Sequence, residues 1–327
     1  MARSGHSARR KFRIMHDIWR SGFTRRSAAS WLDRAPSADE ITWLPDVGSF
    51  RFLAEPFGIE RSRTLTVFVQ AFDYRVRRGR IRFYQYDARD RLIGQGLALA
   101  EPWHLSYPFL IEDEDELYML PSASKSGSLS LYRCRRFPDE WEPAGLLSDL
   151  PVSNASVVRH EGVWWMFFTL PGPDERAMRE LHVAHAPRLQ GPWRRLSQAP
   201  ALQGYDLARP GGAPLLRDGQ IHLPVQDCRR TEGAAVNILR ITDLSPRAMN
   251  FEPAGRMEPA NLLPGFTDGL RTLSGCGAAS FMDVKAIRRS PEEGRIRTRA
   301  RFHRWLPEPV WDYSRADRRL RPAYLGG

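Results

Sequence analysis

The chain has 327 residues, 42% of them hydrophobic and 27% charged, which is enough to bury a substantial core in one large domain. No run of eighteen apolar residues occurs, so no membrane-spanning helix is expected, and the arginine-bearing N-terminus lacks the apolar core of a secretory signal. The net charge is +11, but lysine stands only at positions 11, 125 and 285 among 49 basic residues, so an arginine-rich genome accounts for the sum as well as a binding surface does. No nucleic-acid recognition module and no interleaving of aromatic with basic residues supports nucleic-acid binding. Cys134, Cys228 and Cys276 are far apart and lack metal-ligand spacing, which reads as reduced thiols in a cytoplasmic protein.

In chain order, residues 1–35 are strongly basic, and Phe12, Met15, Ile18 and Trp19 fall at helical spacing. That spacing predicts a basic helix, which either packs on the domain or rests on a partner or an acidic membrane surface at the inner face. A repeated unit follows. Glu55-Pro56-Phe57-Gly58-Ile59 leads through a charged turn into Thr64-Leu65-Thr66-Val67-Phe68, and Tyr107-Pro108-Phe109-Leu110-Ile111 leads into Leu117-Tyr118-Met119-Leu120. Asn154-Ala155-Ser156-Val157-Val158 leads into Val163-Trp164-Trp165-Met166, and Arg209-Pro210-Gly211-Gly212 into Ile221-His222-Leu223. Arg271-Thr272-Leu273 opens a weaker fifth unit, with 278–282 where an inner strand should lie.

With Pro56, Pro108, Ala155, Pro210 and Thr272 equivalent, the steps are 52, 47, 55 and 62 residues, a period that means propeller blades or a solenoid. A third strand-like run follows each of the first four pairs (80–84, 129–132, 181–184 and 234–238), and Trp141 and Trp193 each open a fourth after a turn. Four short strands per repeat predict an all-β, five-bladed β-propeller with short basic terminal extensions. Its expected boundaries are 1–38 for the N-terminal extension, 39–290 for the propeller and 291–327 for an arginine-rich C-terminal extension.

In a propeller the entry to each innermost strand points into one axial funnel. Those entries carry Glu55, then His104 with Ser106 and Tyr107, then Asn154, then Arg209, then Arg271 with Thr272. Each alone reads as an ordinary turn or capped loop residue. Their recurrence at equivalent places favours a ligand site.

Several of these residues carry a resemblance. Phe52-Leu53-Ala54-Glu55-Pro56-Phe57, Glu101-Pro102-Trp103-His104-Leu105-Ser106-Tyr107-Pro108-Phe109, Phe137-Pro138-Asp139-Glu140-Trp141, Arg209-Pro210-Gly211-Gly212, Gln226-Asp227-Cys228 and Gly269-Leu270-Arg271-Thr272 resemble the N-terminal domain of glucosamine inositolphosphorylceramide transferases and its stand-alone bacterial relatives. That family is similar in turn to the five-bladed propellers of family 43 glycoside hydrolases. The resemblance covers roughly 40–285 and implies a carbohydrate-handling propeller without fixing a reaction. Departures bear on mechanism: Glu55 stands where Asp is usual, Gln70-Ala71 where paired glutamates are, Ser122 where a glutamate is, Asn154 where an aspartate is and Arg271 where a histidine is.

Glycoside hydrolysis needs two carboxylates about 5–5.5 Å or 6.5–9.5 Å apart, one of them protonated. From the funnel list the pair is Glu55 and Asp227, with His104, Tyr107, Asn154, Arg209, Gln226, Arg271 and Thr272 holding the substrate. Arg209 and Arg271 would keep both carboxylates ionised and suit an anionic ligand such as a sugar phosphate. The expectation is thus a carbohydrate-active enzyme of hydrolase or glycosyl-transfer type working in surface-polysaccharide metabolism. The alternative is a non-catalytic sugar-binding propeller serving a partner glycosyltransferase. Neither a metal nor a cofactor is expected.

Overall fold

The computed structural model describes residues 15–48, 50–172 and 174–302. Five antiparallel sheets form the blades of a β-propeller, as the repeat predicts. Blade one runs outward through Arg51–Arg61, Thr64–Asp73, Arg78–Tyr86 and Leu92–Leu99. Blade two comprises Ser106–Asp113, Glu116–Ser122, Leu129–Arg136 and Glu140–Ser148. Blade three is Ser153–His160, Val163–Thr169 and Glu180–Ala186, with the short outer pieces Arg194–Arg195 and Leu202–Gln203. In blade four the innermost strand is split into Arg209–Pro210 and Leu215–Arg217, followed by Gln220–Asp227, Ala235–Ser245 and Ala248–Met257.

Blade five is assembled from both ends of the chain. Gly269–Cys276 and Ala279–Arg288 supply the two inner strands, and His16–Thr24 and Thr42–Trp43 the outer two. His16–Thr24 pairs with Ala279–Arg288 in unbroken register from His16 opposite Arg288 to Thr24 opposite Ser280. This closes the ring and removes the exposed sheet edge that an unclosed last blade would carry. It corrects two expectations. The helix predicted near residues 12–19 is a strand from His16 onward, and the propeller begins there instead of at residue 39; Phe12 lies outside the described residues. The reason is that this strand is covered on both faces, Ile18, Trp19 and Phe23 all being buried. A two-sided strand has no clean alternation, and its apolar residues can mimic helical spacing. Residues 279–282 of the run at 278–282 lie in the second strand of blade five, an inner strand as expected. In the C-terminal extension Glu293–Phe302 is a helix that buries only Ile296; residues 303–327 lie outside the described residues.

A single irregularity recurs in the innermost strands. In blades one, two, three and five the register skips two residues, leaving Glu55-Pro56, Tyr107-Pro108, Asn154-Ala155 and Arg271-Thr272 out of the ladder. In blade four the break after Pro210 falls at the same place. Glu55, Tyr107 and Asn154 have φ of 51°, 49° and 51°, a conformation that costs a non-glycine residue about 1–3 kcal/mol. Bulges of this kind re-aim side chains, here toward the axis. Their freed N–H groups are taken by side chains from the preceding blade. Asp283 Oδ2 accepts from Glu55 N–H at 2.8 Å, Glu55 Oε2 from Tyr107 N–H at 2.8 Å, and Ser122 Oγ from Asn154 N–H at 2.7 Å. A buried N–H must find a partner, and these three junctions stitch neighbouring blades together in finding one.

Candidate functional site

Below the entry end the axis is filled. Tyr107, fully buried, sends its hydroxyl across the centre to donate to Gly212 O at 2.9 Å and accept from Gly212 N–H at 2.7 Å, with Ser156 Oγ 2.7 Å away. Gly212 is required here, because a Cβ on it would sit 1.7 Å from the Leu273 carbonyl oxygen. Asn154 and Gln226 both donate to Pro210 O at 3.1 Å, and Thr272 N–H donates to Asp283 Oδ1 at 3.0 Å. Tyr107, Asn154, Gln226 and Thr272, expected to hold a substrate, are therefore placed in the axial packing under the mouth. Burial holds the Tyr107 phenol proton well above its ordinary range.

At the mouth the charged residues converge on Arg271. Its guanidinium lies over the Trp19 ring at 4.1 Å, donates through Nε to Asp283 Oδ2 at 3.3 Å and through Nη2 to Gln70 Oε1 at 3.1 Å. Its Nη1 stands 3.7 Å from Glu55 Oε1 and 3.5 Å from Glu232 Oε1. Arg209 reaches the same Glu232 oxygen at 3.3 Å and donates to Ala177 O at 3.1 Å. Behind Glu232, the buried Lys285 ammonium donates to Glu232 O at 2.6 Å, Thr231 Oγ1 at 2.8 Å and Asp17 Oδ2 at 3.2 Å. His104 Nδ1 accepts from Gly79 N–H at 2.9 Å, so its neutral ring carries the proton on Nε2; the Gln70 amide, 3.5 Å from that nitrogen, is a contact and not a hydrogen bond.

Three cations, Arg209, Arg271 and Lys285, thus face four carboxylates, Glu55, Asp283, Glu232 and Asp17. The imbalance leaves room for one proton. Burial pushes Glu55 up despite Arg271 and Arg209, and Asp283 and Glu232 push in the same direction. Burial also acts to raise Glu232, but Arg209, Arg271 and Lys285 outweigh it and hold that carboxyl below its usual range. Burial, with Lys125 and Arg271, lowers His104 to about 4. The direction runs against the expectation that the arginines would favour the ionised form of Glu55: desolvation outweighs them, its nearest guanidinium nitrogen being 3.7 Å away.

Asp227 lies apart. Its side chain turns to the outer strand of blade four, where Oδ2 takes Arg256 Nη1 and Arg229 Nη2, both at 2.8 Å, and Oδ1 takes Arg229 N–H and Nε at 3.0 and 3.1 Å. Burial opposes ionisation, but these bonds prevail and hold the carboxyl far below its ordinary value. No contact joins it to Glu55. Successive residues of a strand face opposite ways, so while Gln226 turns to the axis Asp227 cannot.

The residues that sequence reasoning missed are Glu232, Asp283, Lys285, Trp19 and Asp17. Two left a trace. Asp283 and Lys285 interrupt an otherwise apolar run at 281–287, where a charge signals a buried partner, and Lys285 is a rare lysine in an arginine-rich chain. Glu232 sits in a polar turn and left none.

The chain is 35% identical over 202 residues to glucosamine inositolphosphorylceramide transferase 1 of Oryza sativa subsp. indica, covering 59% of this chain and 27% of the relative, and 30% identical over 200 residues to the Arabidopsis thaliana protein, covering 59% and 26%. It therefore spans about a quarter of the length of these curated relatives. Among solved structures, β-1,2-mannobiose phosphorylase from Listeria innocua superposes with a TM-score of 0.52 at 10% identity, over 79% of this chain and 95% of that one, a likeness of fold alone. Residues 24–252 match the model of the family described as glucosamine inositolphosphorylceramide transferase 1, N-terminal, and the chain belongs to that family.

Proposed function

We propose that the protein is a carbohydrate-binding propeller that holds a sugar ligand at the axial mouth and presents it for glycosyl transfer, without being a glycosidase itself. The carrying observation is the fate of the two candidate carboxylates. Glu55 is 2% exposed and spends one oxygen on the Tyr107 N–H, while Asp227 is bound by two arginines on the flank of blade four. The side chains left for a ligand to meet are His104, Arg209 and Glu232 around the edge of Arg271. The relatives named above are transferases by name, which supports a ligand that takes part in glycosyl transfer. The test is binding and turnover together. Wild-type protein is expected to bind sugars in a glycan screen and by calorimetry, and Arg209→Ala to abolish it, while Glu55→Gln and Asp227→Asn change no turnover of any glycoside or activated sugar. A loss of turnover in either carboxylate variant sinks this reading.

One observation favours catalysis instead. Glu55 and Glu232 flank a single Arg271 nitrogen at 3.7 and 3.5 Å, and their proton affinities are driven in opposite directions. The sum of those distances bounds the oxygen separation below the roughly 9.5 Å limit for glycosidase pairs, and such a split assigns an acid and a base. On that reading Glu232→Gln, not Asp227→Asn, removes turnover.

For location we propose the cytoplasm, with a peripheral contact to an acidic membrane face carried by the basic N-terminal sequence ahead of 16–24, which is built into blade five. No helix among the described residues is long and apolar enough to cross a membrane. Deleting 1–14 is expected to weaken cosedimentation with anionic vesicles; unchanged binding removes the membrane contact.

A further inference from the structure

We infer that Arg209 and Arg271 form the seat for one negative charge on the ligand, and that the Glu232 carboxylate is the internal occupant which the ligand displaces. This rests on the sugar-binding reading above and narrows its substrate class to sugars bearing a carboxylate or phosphate group. Both guanidinium groups close on the same Glu232 oxygen, at 3.3 and 3.5 Å, and the Glu232 side chain remains 32% exposed where theirs are 12% and 8%. An exposed carboxylate between two largely buried guanidinium groups is the part of the cluster that can leave into water.

Its departure needs no movement of the turn that carries it. The backbone of that turn is pinned from below, where Lys285 Nζ donates to Glu232 O and Thr231 Oγ1. It is pinned from the side by Gly233, packed so closely on Arg271 that a Cβ would lie 2.3 Å from the arginine Cβ and 3.1 Å from the Trp19 ring. Rotation about the Glu232 side-chain bonds alone opens the seat. The Nε of Arg209 is buried with no partner among the described residues, a spare donor beside the Nη2 that Glu232 would vacate. Swinging Glu232 out takes one carboxylate away from the two guanidinium groups it now bridges, and arginine forks suit carboxylate and phosphate oxygens. An internal occupant lowers the apparent affinity by the fraction of molecules in which the seat is closed.

The experiment is calorimetric titration of the full chain at low salt with α-D-glucose 1-phosphate, methyl β-D-glucuronide, inorganic phosphate and the neutral methyl β-D-glucoside. Glu232→Gln is expected to tighten both anionic sugars about tenfold and leave the neutral glycoside unchanged, with Glu232→Asp, one methylene shorter, in between; Arg209→Gln weakens the anions about tenfold. Glu232→Gln binding the anionic sugars no better than wild type, or worse, overturns the inference. Should the neutral glycoside bind as tightly as the anions in every variant, the sugar reading stands and the charge seat falls. Inorganic phosphate matching glucose 1-phosphate, with the same gain in Glu232→Gln, keeps the seat and removes the sugar. No binding of any probe to any variant overturns both.

Discussion

Two carboxylates of this molecule are held by arginine, and they behave in opposite ways. Asp227, on the flank of blade four, accepts four hydrogen bonds from Arg229 and Arg256, side chains that are 59% and 39% exposed. Glu55, on the axis, meets one guanidinium nitrogen at 3.7 Å and one backbone N–H. Arginine beside a carboxylate is therefore not enough to predict its charge. Asp227 is ionised because the bonds are short and many; Glu55 tends to hold its proton because water is excluded and the arginine is shared among three acids. The flank pair is a local brace, whereas the axial group joins blade five to blade one and surrounds the candidate ligand seat.

The sharpest way to break this contrast is to remove what supports only the axial side. Deleting residues 1–24 takes away Trp19, Asp17 and the third strand of blade five, and is expected to abolish the cooperative thermal transition followed by circular dichroism; deleting 1–14 leaves it intact. Next, Arg271→Met strands buried carboxylates without their cation and should cost about 3–5 kcal/mol in urea unfolding, with part recovered in the double variant Arg271→Met/Glu55→Gln. A loss below about 1 kcal/mol would mean that the cluster is not coupled. Asp227→Asn, on the solvated flank, is expected to cost only about 1–2 kcal/mol at neutral pH.

The pH dependence separates the two acids most finely. Asp227 has a depressed folded value, so its contribution is present above the unfolded carboxyl range near 3.9 and is lost as pH falls through the folded value. The penalty of Asp227→Asn should accordingly shrink toward acid pH. Glu55 has a raised folded value, so the folded state binds its proton more tightly than the unfolded chain, and stability drains away as pH rises from about 4.3 through the folded value. Glu55→Gln should therefore gain on wild type as pH rises, in melting temperatures measured from pH 4 to 8. Parallel profiles for the two variants would erase the distinction.

Much of the architecture was legible in the residues. The pattern recurring about every fifty residues placed the inner strands, and the positions taken as equivalent, Pro56, Pro108, Ala155, Pro210 and Thr272, fall at the strand irregularity in all five blades. Such a signal survives because a bulge whose N–H leaves the ladder favours proline or a small residue each time it occurs. The site was less legible. Glu55, Arg209 and Arg271 were found because they sit on that repeated feature. Asp227 was misdirected because chain proximity to Gln226 says nothing about which face of the strand it takes. Glu232, Trp19 and Asp17 escaped because they lie outside the repeat, on a turn and on a strand that arrives from the other end of the chain.

The amino-acid sequence by itself determined the number of blades and the inner strands of each, since these follow from local alternation, turn chemistry and spacing. Only the tertiary structure decided that His16–Thr24 completes the last blade, that Arg271 is shared by Glu55, Asp283 and Glu232, and that burial drives Glu55 toward its protonated form. Those outcomes depend on which groups from distant segments are brought together and how much water is left between them, and neither distance nor desolvation is written in neighbouring residues.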